Sequence, residues 1–157
     1  MNIKRAKKSN VKRLGIIDSS SFPPQETTSK ETILYRIHHF PQWFFVAEEN
    51  EKIIGFISCR PCYGDMVKEE LYSTTKVPES TTLAILHMAV EESSRGKGVG
   101  KRLMEHIITL ADTRGVHKMI LCCTKESMPY FQSFGFTKNG AGFSKNFTKR
   151  YNMIRKR

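Results

Sequence analysis

Apolar residues in the first forty positions recur at helical spacing, and then the period changes. Val11, Leu14 and Ile17 fall one turn apart behind Ser9 or Asn10, and Ser19-Ser20-Ser21 ends the pattern. A first helix is therefore predicted there, after a short strand at Asn2–Arg5. Thr28 and Glu31 stand at capping-box spacing, and Ile33, Leu34 and Ile37 make the apolar face of a second helix that stops at Pro41. Trp43–Glu48 and Lys52–Cys59 are dense in aromatic and β-branched residues around Glu49-Asn50-Glu51, the pattern of a hairpin. Positions 61–80 read as a long loop with a helical turn near Val67–Leu71.

Thr81–Val90 has the unbroken apolar character of a buried strand, and Glu91–Gly98 follows as a polar, glycine-rich turn. A strongly amphipathic helix begins near Val99, with Leu103, Ile107, Leu110 and Ala111 on one side, and ends at Arg114-Gly115 with glycine in the C′ place. Val116–Cys123 is another strand. A short helix over Ser127–Phe134 closes at Gly135, and two final strands are expected around an Asn139-Gly140 turn. Arg155-Lys156-Arg157 reads as a solvated terminal cluster. Strand–helix–strand around the central turn implies a parallel pair and the early hairpin an antiparallel one, so the sheet is mixed and the class is α/β (α+β).

The 157 residues suit one domain over 1–157, and 39% hydrophobic with 26% charged residues excludes collagen, low-complexity disorder and a disulfide scaffold. No apolar run approaches the roughly 18 residues of a membrane span, and Met1 opens onto Asn2-Ile3-Lys4-Arg5 in place of an apolar signal core. A cytoplasmic protein without a membrane span is expected. The formal charge of +11 belongs to the two ends: residues 1–13 carry six Lys/Arg and residues 138–157 seven, with no acid in either stretch. Such ends attract nucleic acid or anionic lipid, although a solvated face is the commoner meaning.

Cys59-Arg60-Pro61-Cys62 has the spacing of a redox motif but leads into the turn Tyr63-Gly64-Asp65 where a thioredoxin-type site has a helix. Zinc would need a second ligand pair, and Cys122 and Cys123 are adjacent. Small residues at the edge of the core are the simpler meaning, and no metal is expected.

The chemistry concentrates in Arg95-Gly96-Lys97-Gly98-Val99-Gly100-Lys101, between a strand and a long helix. The first amides of a helix lack intrahelical partners and carry the positive end of its dipole, so this turn is an anion cradle reinforced by three cations. Gly96-x-x-x-Gly100-Lys101 is one residue short for a nucleotide-triphosphate loop, and Arg102 brings no hydroxyl for magnesium. The glycine spacing also differs from a dinucleotide fingerprint. An unliganded tight turn is the bland alternative.

Arg95-x-x-Gly98-x-Gly100 is similar to the pyrophosphate-binding signature of the GCN5-related N-acetyltransferases. Pro129-Tyr130-Phe131-Gln132-Ser133-Phe134-Gly135-Phe136 resembles that family's Phe-Tyr-x-x-x-Gly-Phe stretch, and the likeness covers nearly the whole chain. Within the family, Met88-Ala89-Val90 and Met128–Phe136 look most like the arylalkylamine (serotonin-type) enzymes. The resemblance implies a mixed, mostly antiparallel sheet with splayed fourth and fifth strands and flanking helices. It implies binding of acetyl-CoA as cosubstrate and direct transfer of its acetyl group to a primary amine. Carried over, backbone groups of Met88 and Val90 would meet the pantetheine arm and the acetyl carbonyl, and Arg95, Gly96, Lys97, Gly98, Gly100 and Lys101 would hold the pyrophosphate.

The acceptor arrives as an ammonium and the leaving thiolate needs a proton, so a base and an acid are required. The arylalkylamine enzymes' two strand histidines correspond to Ala84 and Leu86 here. His87 lies in the same strand with opposite parity, as a base, a relay or a packed core histidine. The family's tyrosine corresponds to Phe131, with Tyr130 one place earlier as the candidate acid. Phe22, Phe40, Trp43, Phe44 and Tyr63 would suit an aromatic amine. Glu48, Glu49, Glu51, Asp65, Glu69, Glu70 and Glu79 would suit a polyamine. A protein lysine or N-terminal amine is the alternative acceptor, a basic nucleic-acid-associated module that binds acetyl-CoA the non-enzyme one, and monomer and homodimer are both open.

Overall fold

Seven strands, the inner ones rich in β-branched, aromatic and other apolar residues, form among the residues that this computed structural model describes, 1–73, 80–142 and 149–157. They are β1 (Asn2–Arg5), β2 (Phe44–Glu49), β3 (Lys52–Cys62), β4 (Thr82–Val90), β5 (Lys118–Cys123), β6 (Thr137–Ala141) and β7 (Tyr151–Lys156). One sheet holds them in the order β1-β2-β3-β4-β5-β7-β6. The helices are α1 (Val11–Ser21), α2 (Lys30–His39), α3 (Val99–Thr113) and α4 (Met128–Gln132). β1/β2, β2/β3, β5/β7 and β6/β7 pair antiparallel and β4/β5 parallel, as the mixed α/β reading expects. The parallel ladder joins Thr82↔Lys118, Leu83↔Met119 and Ala84↔Ile120, and β4 runs on through Ile85–Val90.

The chain divides into two compact units, one of Met1–Cys59 with His87–Ile107 and the other of Arg60–Leu86 with Ile108–Arg157. In the first, Leu14, Ile17, Ile33, Ile37, Phe44, Val46, Ile53, Phe56 and Ala89 form a buried cluster. Each large side chain of that cluster contributes about 1.5–3 kcal/mol of transfer free energy. The β2–β3 hairpin turns at Asn50 and Glu51, both with positive φ (51° and 62°), as a two-residue turn matched to strand twist requires. On β3, Gly55 lets Val99 and Leu103 of α3 approach the sheet. A Cβ there would stand 3.1 Å from the Ala89 carbonyl oxygen and 3.2 Å from the Val99 side chain. Val99, Leu103, Met104 and Ile107, the apolar stripe of α3, are buried.

The cap of α2 is Ser29, one residue after the expected Thr28: its hydroxyl accepts from the Thr32 amide at 3.2 Å. Thr28 is occupied elsewhere, its amide donating to Asp18 Oδ2.

In the second unit, Cys62, Val67, Ala84, Leu86, Ile120 and Ile154 cluster, and Phe136 and Met153 are buried. Asn152 is buried at 2% exposure because its amide side chain accepts from Val67 N at 2.8 Å and donates to Ala141 O at 3.0 Å. The expected helical turn is a 3-10 turn at Glu69–Tyr72. One expectation fails here and another holds only in part. Asn139-Gly140 is not the hairpin turn but lies inside β6, where Gly140 takes φ +85° at an irregularity between Lys138 and Ala141. Arg155 and Lys156 form the end of β7, paired with Met119 and Lys118, so the cluster is not a loose tail, although Lys156 and Arg157 are exposed as expected and only Arg155 is half-buried. Backbone pairing asks nothing apolar of the side chains, and Arg155 also reaches Asp112 at 3.3 Å.

Cys59 and Cys62 are free and fully buried. Burial pushes the Cys59 thiol up, and that of Cys62 up to about 11, which suppresses the thiolate a redox motif needs.

Candidate functional site

β4 ends at Val90, a short turn follows, and α3 opens at Val99; Glu91 anchors the junction. Its amide donates to Ile54 O at 2.8 Å. Its Oε1 accepts from Arg13 Nη2 at 2.5 Å and from Lys52 Nζ at 2.9 Å, and Ser94 Oγ lies 3.3 Å from Oε2. Arg13 in turn donates from Nε to Ile53 O at 3.0 Å. One carboxylate thus joins α1, β3 and the turn. The Lys52 and Arg13 hydrogen bonds hold its pKa down at about 2 against a usual 4.5. A depressed carboxylate stabilises the fold fully above its unfolded pKa, and that contribution is lost as pH falls through the folded one. The melting temperature of Glu91→Gln should therefore fall below wild type at neutral pH, with the gap closing between pH 4.5 and 2. Melts followed by circular dichroism across that range, with a gap that does not narrow, would remove Glu91 as the anchor.

Arg95 donates from Nε to Val90 O at 3.0 Å and from Nη2 to Ser21 Oγ at 3.3 Å. Its guanidinium therefore ties the strand's last carbonyl to the C-terminal turn of α1. Gly96 and Gly98 have φ +76° and +81°, conformations that side chains rarely adopt, and no atom lies within 4 Å of the Cβ either would carry. The space over the turn is open, its residues from Arg95 to Gly98 are exposed, and no acid stands in the first turn of α3. Lys101 is two-thirds exposed and only loosely paired with Glu105 at 3.8 Å. Open room at Gly96 and Gly98, glycine backbone, a helix N-terminus and exposed cationic charge fit a pyrophosphate. Met88 and Val90 are half-buried on either side of the buried Ala89. The first unit thus brings His87, Met88, Val90 and Arg95–Lys101 together along one strand and turn.

His87 is half-buried in a polar group that sequence reasoning missed. Its Nδ1 lies 2.9 Å from Thr28 Oγ1 and 3.2 Å from Arg36 Nη1, and Phe22 covers its ring at 5.2 Å. Arg36 and Asp18 are 3% and 1% exposed. A signal existed: Asp18 follows Leu14 by four, and Arg36 follows Ile33 by three, so both charges fall on the apolar faces of their helices.

Tyr130 belongs to the second unit. On α4 it is 38% exposed, with its ring edge-on to Phe131 at 5.3 Å and to Phe134 at 5.1 Å. Phe131 is half-buried, 6.3 Å from Phe136. Of the aromatic residues suggested for an amine pocket, Phe40, Trp43 and Phe44 are core residues and Tyr63 is exposed. Of the carboxylates, Glu48 pairs with Lys4 and Asp65 with Lys118. Glu79 lies outside the described residues. Among the described residues no helix is long and apolar enough to cross a membrane.

A sequence model described as the acetyltransferase (GNAT) family matches residues 11–136. Human N-acetyltransferase 8B is 27% identical over 103 residues, 64% of this chain and 40% of that protein. The matched stretch thus spans two fifths of that relative's length. N-alpha-acetyltransferase 30 of Schizosaccharomyces pombe is 25% identical over 118 residues, 72% of this chain and 69% of that protein. Among solved structures, the GphF GNAT-like decarboxylase in complex with isobutyryl-CoA superposes with a TM-score of 0.87 at 16% identity, covering 99% of both chains.

Proposed function

The chain belongs to the acetyltransferase (GNAT) family, and from that premise we propose that it transfers acetyl from acetyl-CoA directly to a primary amine, as one domain over 1–157. The observation that carries the reading is the glycine turn 95–100 at the N-terminus of α3, open at Gly96 and Gly98 and directly after β4. Amides of Gly96, Gly98 and Gly100 hold the pyrophosphate, with Lys97 and Lys101 supplying charge. Arg95 contributes by fixing the turn to Val90 and Ser21, since one of its donors is engaged at each. Backbone groups of Met88 and Val90 serve the pantetheine arm and the thioester. An N–H directed at the thioester oxygen stabilises the tetrahedral oxyanion, an effect of about 3 kcal/mol. Tyr130 is assigned to the leaving thiolate.

The acceptor we favour is a peptidyl amine. The similarity to an N-alpha-acetyltransferase supports it. So does the burial of Phe40, Trp43 and Phe44 in the core, which takes three of the five aromatic residues away from an arylalkylamine pocket, and ion pairs engage Glu48 and Asp65 of the carboxylates offered for a polyamine. Lys4, Arg13 and Arg155 are likewise engaged in ion pairs, which takes these three terminal cations out of a nucleic-acid surface. CoA release measured with peptides bearing free N-terminal amines, lysine peptides, arylalkylamines and polyamines is the test. Peptide acetylation well above the small amines is expected. A preference for small amines would return the acceptor to the arylalkylamine or polyamine class, and release with none of them would overturn the enzyme reading.

A further inference from the structure

Around His87 the chemistry of the neighbours decides which ring nitrogen carries the proton. Arg36 Nη1 lies 3.2 Å from Nδ1, and a guanidinium has protons to give and no lone pair to offer. Nδ1 therefore receives, and a nitrogen that receives holds no proton. Thr28 Oγ1, at 2.9 Å from the same atom, donates to it as well. The arrangement is fixed from three sides. The Thr28 amide donates to Asp18 Oδ2 at 2.6 Å, which ties the segment before α2 to α1. Arg36 projects from α2 and is buried, and Phe22 covers the ring at 5.2 Å.

Among the described residues of these elements, Arg36 on α2 faces the ring and Asp18 on α1 stands behind Thr28. A buried guanidinium on the Nδ1 side opposes a second proton on the imidazole. Asp18 acts in the other direction, and burial raises its carboxyl above the usual range against the lowering pull of the Thr28 amide and Arg36.

We propose that Arg36 and Thr28 hold His87 as a neutral imidazole in its Nε2–H tautomer, so that it serves acetyl transfer as a hydrogen-bond donor and not as the proton-accepting base. The tautomer stands on geometry alone; the role in transfer rests on the acetyltransferase reading. A base needs a vacant lone pair, and here Nε2 carries a proton while Nδ1 is engaged by two donors. The proton leaving the acceptor ammonium must then go to water or to another group. Arg36 and Thr28 are accordingly positioning residues.

The tautomer is read on the unmodified full chain, labelled with 15N-histidine, by long-range 1H–15N correlation over a pH titration. The His87→Gln spectrum identifies the His87 signals among the five histidines. The expected pattern has Nδ1 bare and Nε2 protonated, persisting at acid pH after an ordinary histidine has become charged. An Nδ1–H tautomer, or an imidazolium at neutral pH, overturns the proposal whatever the enzyme does. In the activity arm, Gln retains an N–H donor and Leu has none. Turnover in His87→Leu should fall at least about tenfold below His87→Gln, the scale of one hydrogen bond made in the transition state. The acid limb of the pH–rate profile should survive in His87→Gln. Equal losses in both variants with disappearance of that limb would make His87 the base after all. A wild-type chain that acetylates no acceptor would overturn the donor role together with the function, leaving the tautomer to the spectra.

Discussion

Gly100→Glu should abolish acetyl-CoA binding while leaving the fold intact or slightly more stable. Gly100 is the second residue of α3 and is not among the positive-φ glycines, so a side chain imposes no backbone strain. Glycine in a helix costs about 1 kcal/mol relative to good helix formers, and a carboxylate in the first turn gains roughly 0.3–1 kcal/mol from the dipole. The same carboxylate would occupy the positive end of the helix that the pyrophosphate needs, and would repel it. A loss of at least about 100-fold in affinity is expected, roughly 2.7 kcal/mol. Calorimetric titration with acetyl-CoA measures it, a thermal melt checks the fold, and Gly100→Gln separates charge from bulk. Gly98→Glu is the poorer variant, because at φ +81° any side chain is strained and lost binding would confound chemistry with folding. Wild-type affinity in Gly100→Glu would show that the turn is not the phosphate site.

The strand–turn–helix frame around residues 82–113 was legible in the sequence because each part follows a local rule. An unbroken apolar run, three closely spaced glycines and a one-sided helical stripe need no knowledge of distant residues. The misreadings share the opposite property. Asn139-Gly140 has turn chemistry, yet a positive-φ glycine is equally at home at an irregularity within a strand, and only the pairing of β6 with β7 decides between them. Arg155 and Lys156 belong to a strand through their backbone pairing with β5, to which their side chains give no clue. Ser29 and Thr28 both have capping side chains, and the choice turned on distant residues, His87 taking the Thr28 hydroxyl and Asp18 its amide. The same long-range requirement hid the setting of His87. Its place in β4 was plain, but Arg36 and Thr28 meet it from residues more than fifty positions away. Asp18 and Arg36 were the missed clue, charges on otherwise apolar faces that are buried only with partners.

The largest expected loss in turnover comes from the phenol. The resemblance to the family puts its tyrosine at position 131, where this chain has phenylalanine, and a helix turns about 100° per residue, so Tyr130 does not inherit that direction. The structure gives each ring its setting within the second unit. Phe131 is half-buried near Phe136, a surrounding that offers a hydroxyl little, whereas Tyr130 is 38% exposed with its ring braced edge-on by Phe131 and Phe134. A braced, partly exposed ring bearing a hydroxyl suits a proton donor, and a half-buried phenylalanine suits packing. Tyr130→Phe should therefore lower kcat by on the order of 100-fold, the lower end of what a positioned acid contributes, with acetyl-CoA affinity unchanged. Phe131→Tyr alone should add nothing, and the double change Tyr130→Phe with Phe131→Tyr should stay as slow as Tyr130→Phe. Single-turnover rates with the best acceptor, alongside calorimetric binding of acetyl-CoA, read all three variants. A double variant faster than wild type would mean that position 131 faces the reaction and that the natural chain transfers acetyl without a tyrosine acid. Unchanged rates in both Tyr130→Phe and the double variant would take tyrosine out of the mechanism and leave water to protonate the thiolate.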